Sequence, residues 1–183
     1  MSERAEKNAV FGLVVFALAA VAATWVYVRV HGLQRGASAF VGETGYMVQY
    51  PTDYAAASGS SDSDKKNEVV YFFPQGTSIA ALKGEAEYGR LGVIRLEVQP
   101  RSDLTLADVR GAMTESAKKR KETFTQEDRK FSFPAFEMRI SAPLKLVQVV
   151  VLGSRSVYLF TAGADGPVLD SLLQSLTETP PDR

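Results

Sequence analysis

Twenty consecutive residues without a charge, AVFGLVVFALAAVAATWVYV from Ala9 to Val28, constrain this chain more than any other feature. A helix rises about 1.5 Å per residue, so the stretch covers about 30 Å, the thickness of bilayer hydrocarbon. A soluble helix so uniformly apolar would need a core around its whole circumference, more than 183 residues supply. The stretch reads as a transmembrane helix over residues 9–29. Trp25 and Tyr27 stand at its end, where amphipathic rings favour the headgroup layer, and Arg29 follows to snorkel, so these three mark a membrane interface. Ala19 and Ala23 share one helix face at small-xxx-small spacing, as in helices that pack closely in lipid, although alanine-rich spans also occur without a partner.

The rival reading is a cleaved signal peptide, whose apolar core is usually about 7–15 residues and ends at a small-x-small site. This core is longer. It runs into WVYVRVHGLQRG, with Ala37-Ser38-Ala39 as the nearest small-residue candidate for cleavage. Length favours an uncleaved anchor. Arg4 and Lys7 before the span are matched by Arg29 and Arg35 after it, so loop charge hardly decides orientation. A short tail followed by a long domain usually resolves with the N-terminus inside. The expected location is the bacterial inner membrane, with a cytoplasmic N-terminus and a periplasmic domain.

Composition narrows the chemistry. Lys plus Arg and Asp plus Glu each total 21, so no net field favours nucleic acid. Cysteine is absent, which excludes disulfides, thiolate metal sites and cysteine nucleophiles. The one histidine, His31, lies just past the span and reads as an interfacial residue.

Beyond an eight-residue tail, the span and a glycine-containing tether over 30–44, a single domain is expected over 45–179, with 180–183 as a tail. Tyr46, Val48 and Tyr50 alternate with Met47 and Gln49, and Pro51 ends a first strand. AAASGSSDSDKKN, Ala55 to Asn67, reads as a loop, and EVVYFF from Glu68 as a strand stopped by Pro74. Ser78 to Glu87 fits a short helix or a short strand. In RLGVIRLEV, Arg90 to Val98, Ile94, Leu96 and Val98 face one way while Arg95 and Glu97 face the other. Thr105 and Asp108 have capping-box spacing before Leu106, Val109, Met113 and Ala117, a helical stripe. Three strands follow: Phe136 to Ile140, Leu144 to Leu152 with VQVVVL the expected central strand, and Val157 to Thr161. Asp165 and Pro167 open a last helix carrying Leu169, Leu172, Leu173 and Leu176, with Pro180 and Pro181 beyond it. The fold class is α+β: one transmembrane helix, then an antiparallel sheet with packed helices.

GYMVQYPTDY, the strand RLEVQP before the helix after DLTLADV, and then FPAFEMRIS, VQVVVLGSRSVYLFTAG and VLDSLLQSL together resemble the PsbP-like domain, which includes the extrinsic lumenal protein of photosystem II and bacterial relatives. The resemblance rests on Tyr46, Tyr50, Pro51, Pro134, Val157, Tyr158, Thr161, Ser175 and Leu176 and covers roughly residues 45–178. It implies an α/β/α sandwich and a non-enzymatic accessory subunit of a larger membrane complex, photosynthetic or respiratory. The photosystem protein is soluble and sent by a transit peptide, whereas this chain carries an apolar span. No catalytic or metal residue of the family is matched here.

The acid pairs Asp62 with Asp64, Glu85 with Glu87, and Glu127 with Asp128 lack the spacing of a dedicated calcium loop and read as solvated charges. Two stretches remain as a partner surface. Tyr71, Phe72 and Phe73 are consecutive, so in a strand at least one ring points away from the others. Lys118, Lys119, Arg120 and Lys121 end the first long helix, where cations offset its dipole, and they also suit acidic headgroups or an acidic partner. Expected partners are membrane lipid and other subunits of a membrane complex, with no nucleic acid, cofactor or enzymatic activity. The competing class is an envelope-anchored module binding a small ligand, lipid or secreted protein in a crevice.

Overall fold

The chain crosses from the interior of its large sheet to one edge through a single helix, and that crossing sets the architecture. The structure is a computed structural model and describes residues 37–59 and 67–178. Strands β1 (Ala37–Val41), β2 (Tyr46–Pro51), β3 (Tyr54–Gly59) and β4 (Glu68–Pro74) come first. Two single 3-10 turns, Ile79–Ala81 and Glu85–Glu87, lead into the one-turn helix α1 (Tyr88–Leu91) and then β5 (Ile94–Pro100). Helix α2 (Leu106–Lys119) is followed by β6 (Thr123–Lys130), β7 (Pro134–Ala142), β8 (Leu146–Leu152) and β9 (Ser156–Ala162), and α3 (Pro167–Ser175) by the two-residue β10 (Thr177–Glu178).

Seven strands form one antiparallel sheet in the order β3-β4-β5-β9-β8-β7-β6, and β1-β2-β10 form a small second sheet. Strands β6 to β9 make a meander, and α2 carries the chain from β5 to its far edge. Both faces of the large sheet are covered. On one, Phe72, Leu96, Val149, Tyr158 and Phe160 pack against Leu169, Leu172 and Leu173 of α3 and Tyr46 and Val48 of β2. On the other, Phe136, Met138, Ile140 and Val150 pack against Leu106, Val109, Met113 and Ala117 of α2. Each fully buried aliphatic or aromatic side chain contributes about 1.5–3 kcal/mol, so these two layers hold the sandwich together. Strand β8 is buried at every residue, as its continuous apolar run requires, although β9 holds the middle of the sheet.

The helices begin where their sequences specify. Thr105 accepts from the Asp108 amide at 3.2 Å while Asp108 accepts from the Thr105 amide at 2.8 Å, the reciprocal cap expected from their spacing. Pro167 occupies the first turn of α3, where its missing N–H costs no helical bond. This helix ends at Ser175, well before Pro180: Leu176 is extended and leads into β10, which pairs with β2 at Met47 and Tyr46. The Ser175 hydroxyl accepts from the Gln49 amide at 2.8 Å and lies 3.2 Å from both the Gln49 and the Leu172 carbonyls, which share its one proton.

Several local expectations are corrected. Ala55 to Gly59, read as loop, pairs with β4 as β3: small side chains hide a strand when the apolar pattern is the only guide. Thr123 to Lys130, with one apolar residue, is the edge strand β6, whose register comes from β7. Ser78 to Glu87 forms two 3-10 turns rather than one helix or strand, and Arg90 and Leu91 belong to α1, which Gly92 ends at φ +65°. Ala37 to Val41, within the stretch read as a tether, forms β1. Among the described residues no helix is long and apolar enough to cross a membrane, and the predicted span over 9–29 lies outside them.

Candidate functional site

The partner-surface candidates separate. Phe72 is 0% exposed and belongs to the core, which removes it from any docking surface, because β4 turns its side chain toward α3. Tyr71 and Phe73 point to the other face and are half-buried. Lys118, Lys119, Arg120 and Lys121 are all exposed at the end of α2. Lys118 pairs with Glu115 at 3.0 Å, and Arg120 with Glu122 at 2.8 and 3.0 Å, so half of this run is already matched by neighbouring acids. The two stretches do not form one patch: β4 is second from one edge of the large sheet, whereas α2 packs on β7, second from the other. Ala19, Ala23, Trp25, Tyr27, Arg29 and His31 lie outside the described residues.

Three members of the acid pairs are engaged by arginines. Glu87 accepts from Arg90 at 2.8 Å, Asp128 pairs with Arg110, and Glu127 lies 3.9 Å from Arg139. Asp62 and Asp64 lie outside the described residues. Among the described residues no three acidic or imidazole side chains converge in a geometry that could hold a metal ion.

The most organised polar cluster was not legible in the sequence. Glu137, in the middle of β7, is 0% exposed, although its alternation with Phe136 and Met138 places it on a face expected to be wet. Arg129 of β6 donates to one carboxylate oxygen at 2.6 Å, and Arg139 pairs with the other. Both guanidiniums also donate to one oxygen of Asp165, at 3.0 and 2.7 Å, just before α3. Burial pushes the Asp165 carboxyl up, but the Arg139 hydrogen bond, the charges of both arginines and the Gly166 amide outweigh it and hold the group below its usual range. The network joins β6, β7 and the approach to α3. Every charge in it is matched by a neighbour, so it clamps these elements together.

A second polar knot closes the opposite end. Glu178 of β10 accepts from the Ser154 amide at 2.8 Å, the Arg155 amide at 3.2 Å and the Tyr158 hydroxyl at 2.9 Å. Burial raises this carboxyl, but those donors prevail and its pKa is lowered. A Cβ on Gly153 would stand 2.2 Å from Glu178 Oε1, so only glycine admits the carboxylate there.

Among the described residues, a cleft and a groove open on the surface. A cleft of about 300 Å³ lies between α1, the end of β9 and the start of α3, with Tyr54, Gly89, Gly163, Val168 and Leu169 among its walls. A groove of about 600 Å³ runs between α2 and β6, bounded by Leu106, Ala107, Arg110, Gly111, Thr114 and Glu115 on the helix and Gln126 and Asp128 on the strand.

This arrangement, an antiparallel sheet with α2 on one face and α3 plus a small sheet on the other, is the PsbP-like fold. The solution structure of cyanobacterial PsbP (CyanoP) from Synechocystis sp. PCC 6803 matches it with a TM-score of 0.51 at 12% identity, over 79% of this chain and 93% of that one. No protein-family profile and no curated protein sequence matches the chain. The likeness is therefore one of backbone architecture.

Proposed function

We propose that this protein is a non-catalytic, single-pass accessory subunit that stabilises or helps assemble a multisubunit membrane complex of photosynthetic or respiratory type. Its PsbP-like domain binds the complex on the non-cytoplasmic side, and the apolar span keeps it in the same membrane. The observation that carries this reading is the match to cyanobacterial PsbP over most of both chains. The span from Ala9 to Val28 supports it, because an anchor raises the local concentration of a docking domain at the membrane. The chemistry agrees: Glu87, Glu127 and Asp128 each face an arginine, the arrangement of a scaffold.

The test is gentle detergent extraction of the tagged full chain from its native membrane, followed by native electrophoresis and mass spectrometry. Comigration with a multisubunit complex, and less of that complex when the chain is deleted, is the expected result. A free monomer, with the complex intact in the deletion strain, would overturn it. A second reading, an envelope-anchored module that captures a small ligand, is favoured by the 300 Å³ cleft beside α3. It expects a stoichiometric small molecule to be released when the purified chain is denatured.

A further inference from the structure

The groove between α2 and β6 has a helix for one wall and an open strand edge for the other. Strand β6 is the last of the large sheet, so alternate N–H and C=O groups point away from β7, and among the described residues no strand pairs with them. Such an edge invites another strand. The helix wall carries Ala107 and Gly111, small residues that leave room for a backbone, while the Thr114 hydroxyl accepts from Gln126 of β6 at 3.0 Å and ties the two walls together at that end.

Gly111 breaks a local rule. It sits in the interior of a 14-residue helix, where glycine costs about 0.5–1 kcal/mol against alanine. A Cβ there would meet nothing within 4 Å, so packing does not demand glycine. Its backbone is ordinary helix, so turn geometry does not demand it either. What its missing side chain provides is depth in the groove.

The charges at the mouth select the visitor. Arg110 turns inward, its guanidinium carbon 4.8 Å from the Phe136 ring centroid, and already pairs with Asp128. The carboxylates of Glu115 and Asp128, paired with Lys118 and Arg110, remain 65% and 78% exposed, so each can still take a further basic side chain. Further along the strand, Glu127, Asp128, Arg129 and Lys130 guard the edge, and TFTQ from Thr123 leaves it uncharged.

We infer that this groove binds an extended segment of a partner protein, which adds a strand to the open edge of β6, seats a small apolar side chain over Gly111 and directs basic side chains to Glu115 and Asp128. The inference concerns the groove alone and does not rest on the accessory-subunit reading. Its test uses the purified full chain in detergent and a synthetic capped hexapeptide alternating valine and lysine, with a valine–glutamate analogue as control. The lysine peptide should bind saturably and about tenfold or more tighter than the glutamate one. Alternate amides of β6 should exchange more slowly when it is bound. Gly111→Leu, which fills the groove at an open position of a helix, should weaken binding by at least about tenfold with the fold intact by circular dichroism. Glu115→Lys should weaken it in the same direction. No saturable binding, equal binding of the two peptides, unchanged exchange in β6, or full binding by Gly111→Leu would each overturn the inference.

Discussion

Arg129 reaches diagonally past its own cross-strand partner, Ala135, to donate to Glu137 at 2.6 Å, while Asp165 holds the same guanidinium from the side of α3. One buried carboxylate thereby fixes the outer strands of the sheet to the helix that covers them. Removing one partner of a buried pair leaves a charge without compensation, at a cost of about 3–5 kcal/mol. Glu137→Ala should lose about that much in urea unfolding. An Arg129→Met, Glu137→Leu double variant should recover much of it, and a double variant no more stable than Glu137→Ala would count against a buried ionic clamp.

Acid should loosen the same contacts. Asp165 and Glu178 both titrate below their ordinary range in the folded chain, so their contribution is complete above the unfolded values, about 3.9 and 4.3, and is lost as pH falls through the lowered folded ones. Stability should be flat from about pH 5 to 7 and fall below about pH 4. Asp165→Asn and Glu178→Gln should each flatten that fall. Identical acid profiles for variants and parent would contradict the assignment.

Alkali probes different groups. Burial, ahead of Glu68, raises the Tyr46 phenol well above its ordinary range; burial and Tyr71 do so for Tyr88, and burial and the Glu178 hydrogen bond for Tyr158. An acid whose folded pKa is raised contributes stability that is complete below its unfolded pKa, about 10 for tyrosine, and lost as pH rises beyond it. Tyrosinate absorbance from these three should appear only together with loss of the circular dichroism signal. Full tyrosinate absorbance with native dichroism at pH 11 would refute this.

Glycines test the packing in opposite directions. A Cβ on Gly163 would stand 2.1 Å from the Gly89 backbone, where α1 crosses the end of β9, so Gly163→Ala should cost about 1–3 kcal/mol or more. Gly111→Ala should instead gain about 0.5–1 kcal/mol from helix propensity. Thermal melts of the two variants should move apart, and a shift of the same sign in both would show that one of these contacts is misjudged.

How much of this was readable in advance depended on how locally each feature is encoded. The α2 cap needs only Thr105 and Asp108, three residues apart, and it is present as read. The apolar run of β8 needs only itself. Strand β6 takes its conformation from β7 and its burial from α2, so its own eight residues carry almost no pattern. Glu137 fails for the same reason: the period that marks it as outward-facing knows nothing of Asp165, 28 positions later, arriving to close over it. The groove was invisible because Gly111 and Asp128 meet only after the chain has turned at Lys121, at φ +57°.

The Ser175 hydroxyl, accepting from the Gln49 amide while its own proton is shared between the Gln49 and Leu172 carbonyls, acts as a borrowed rung in the ladder of β2. A helix stitched to a strand in this way cannot unwind at its end without tearing the small sheet, so α3, β2 and β10 should swing, melt or resist a pulling force as a single plate.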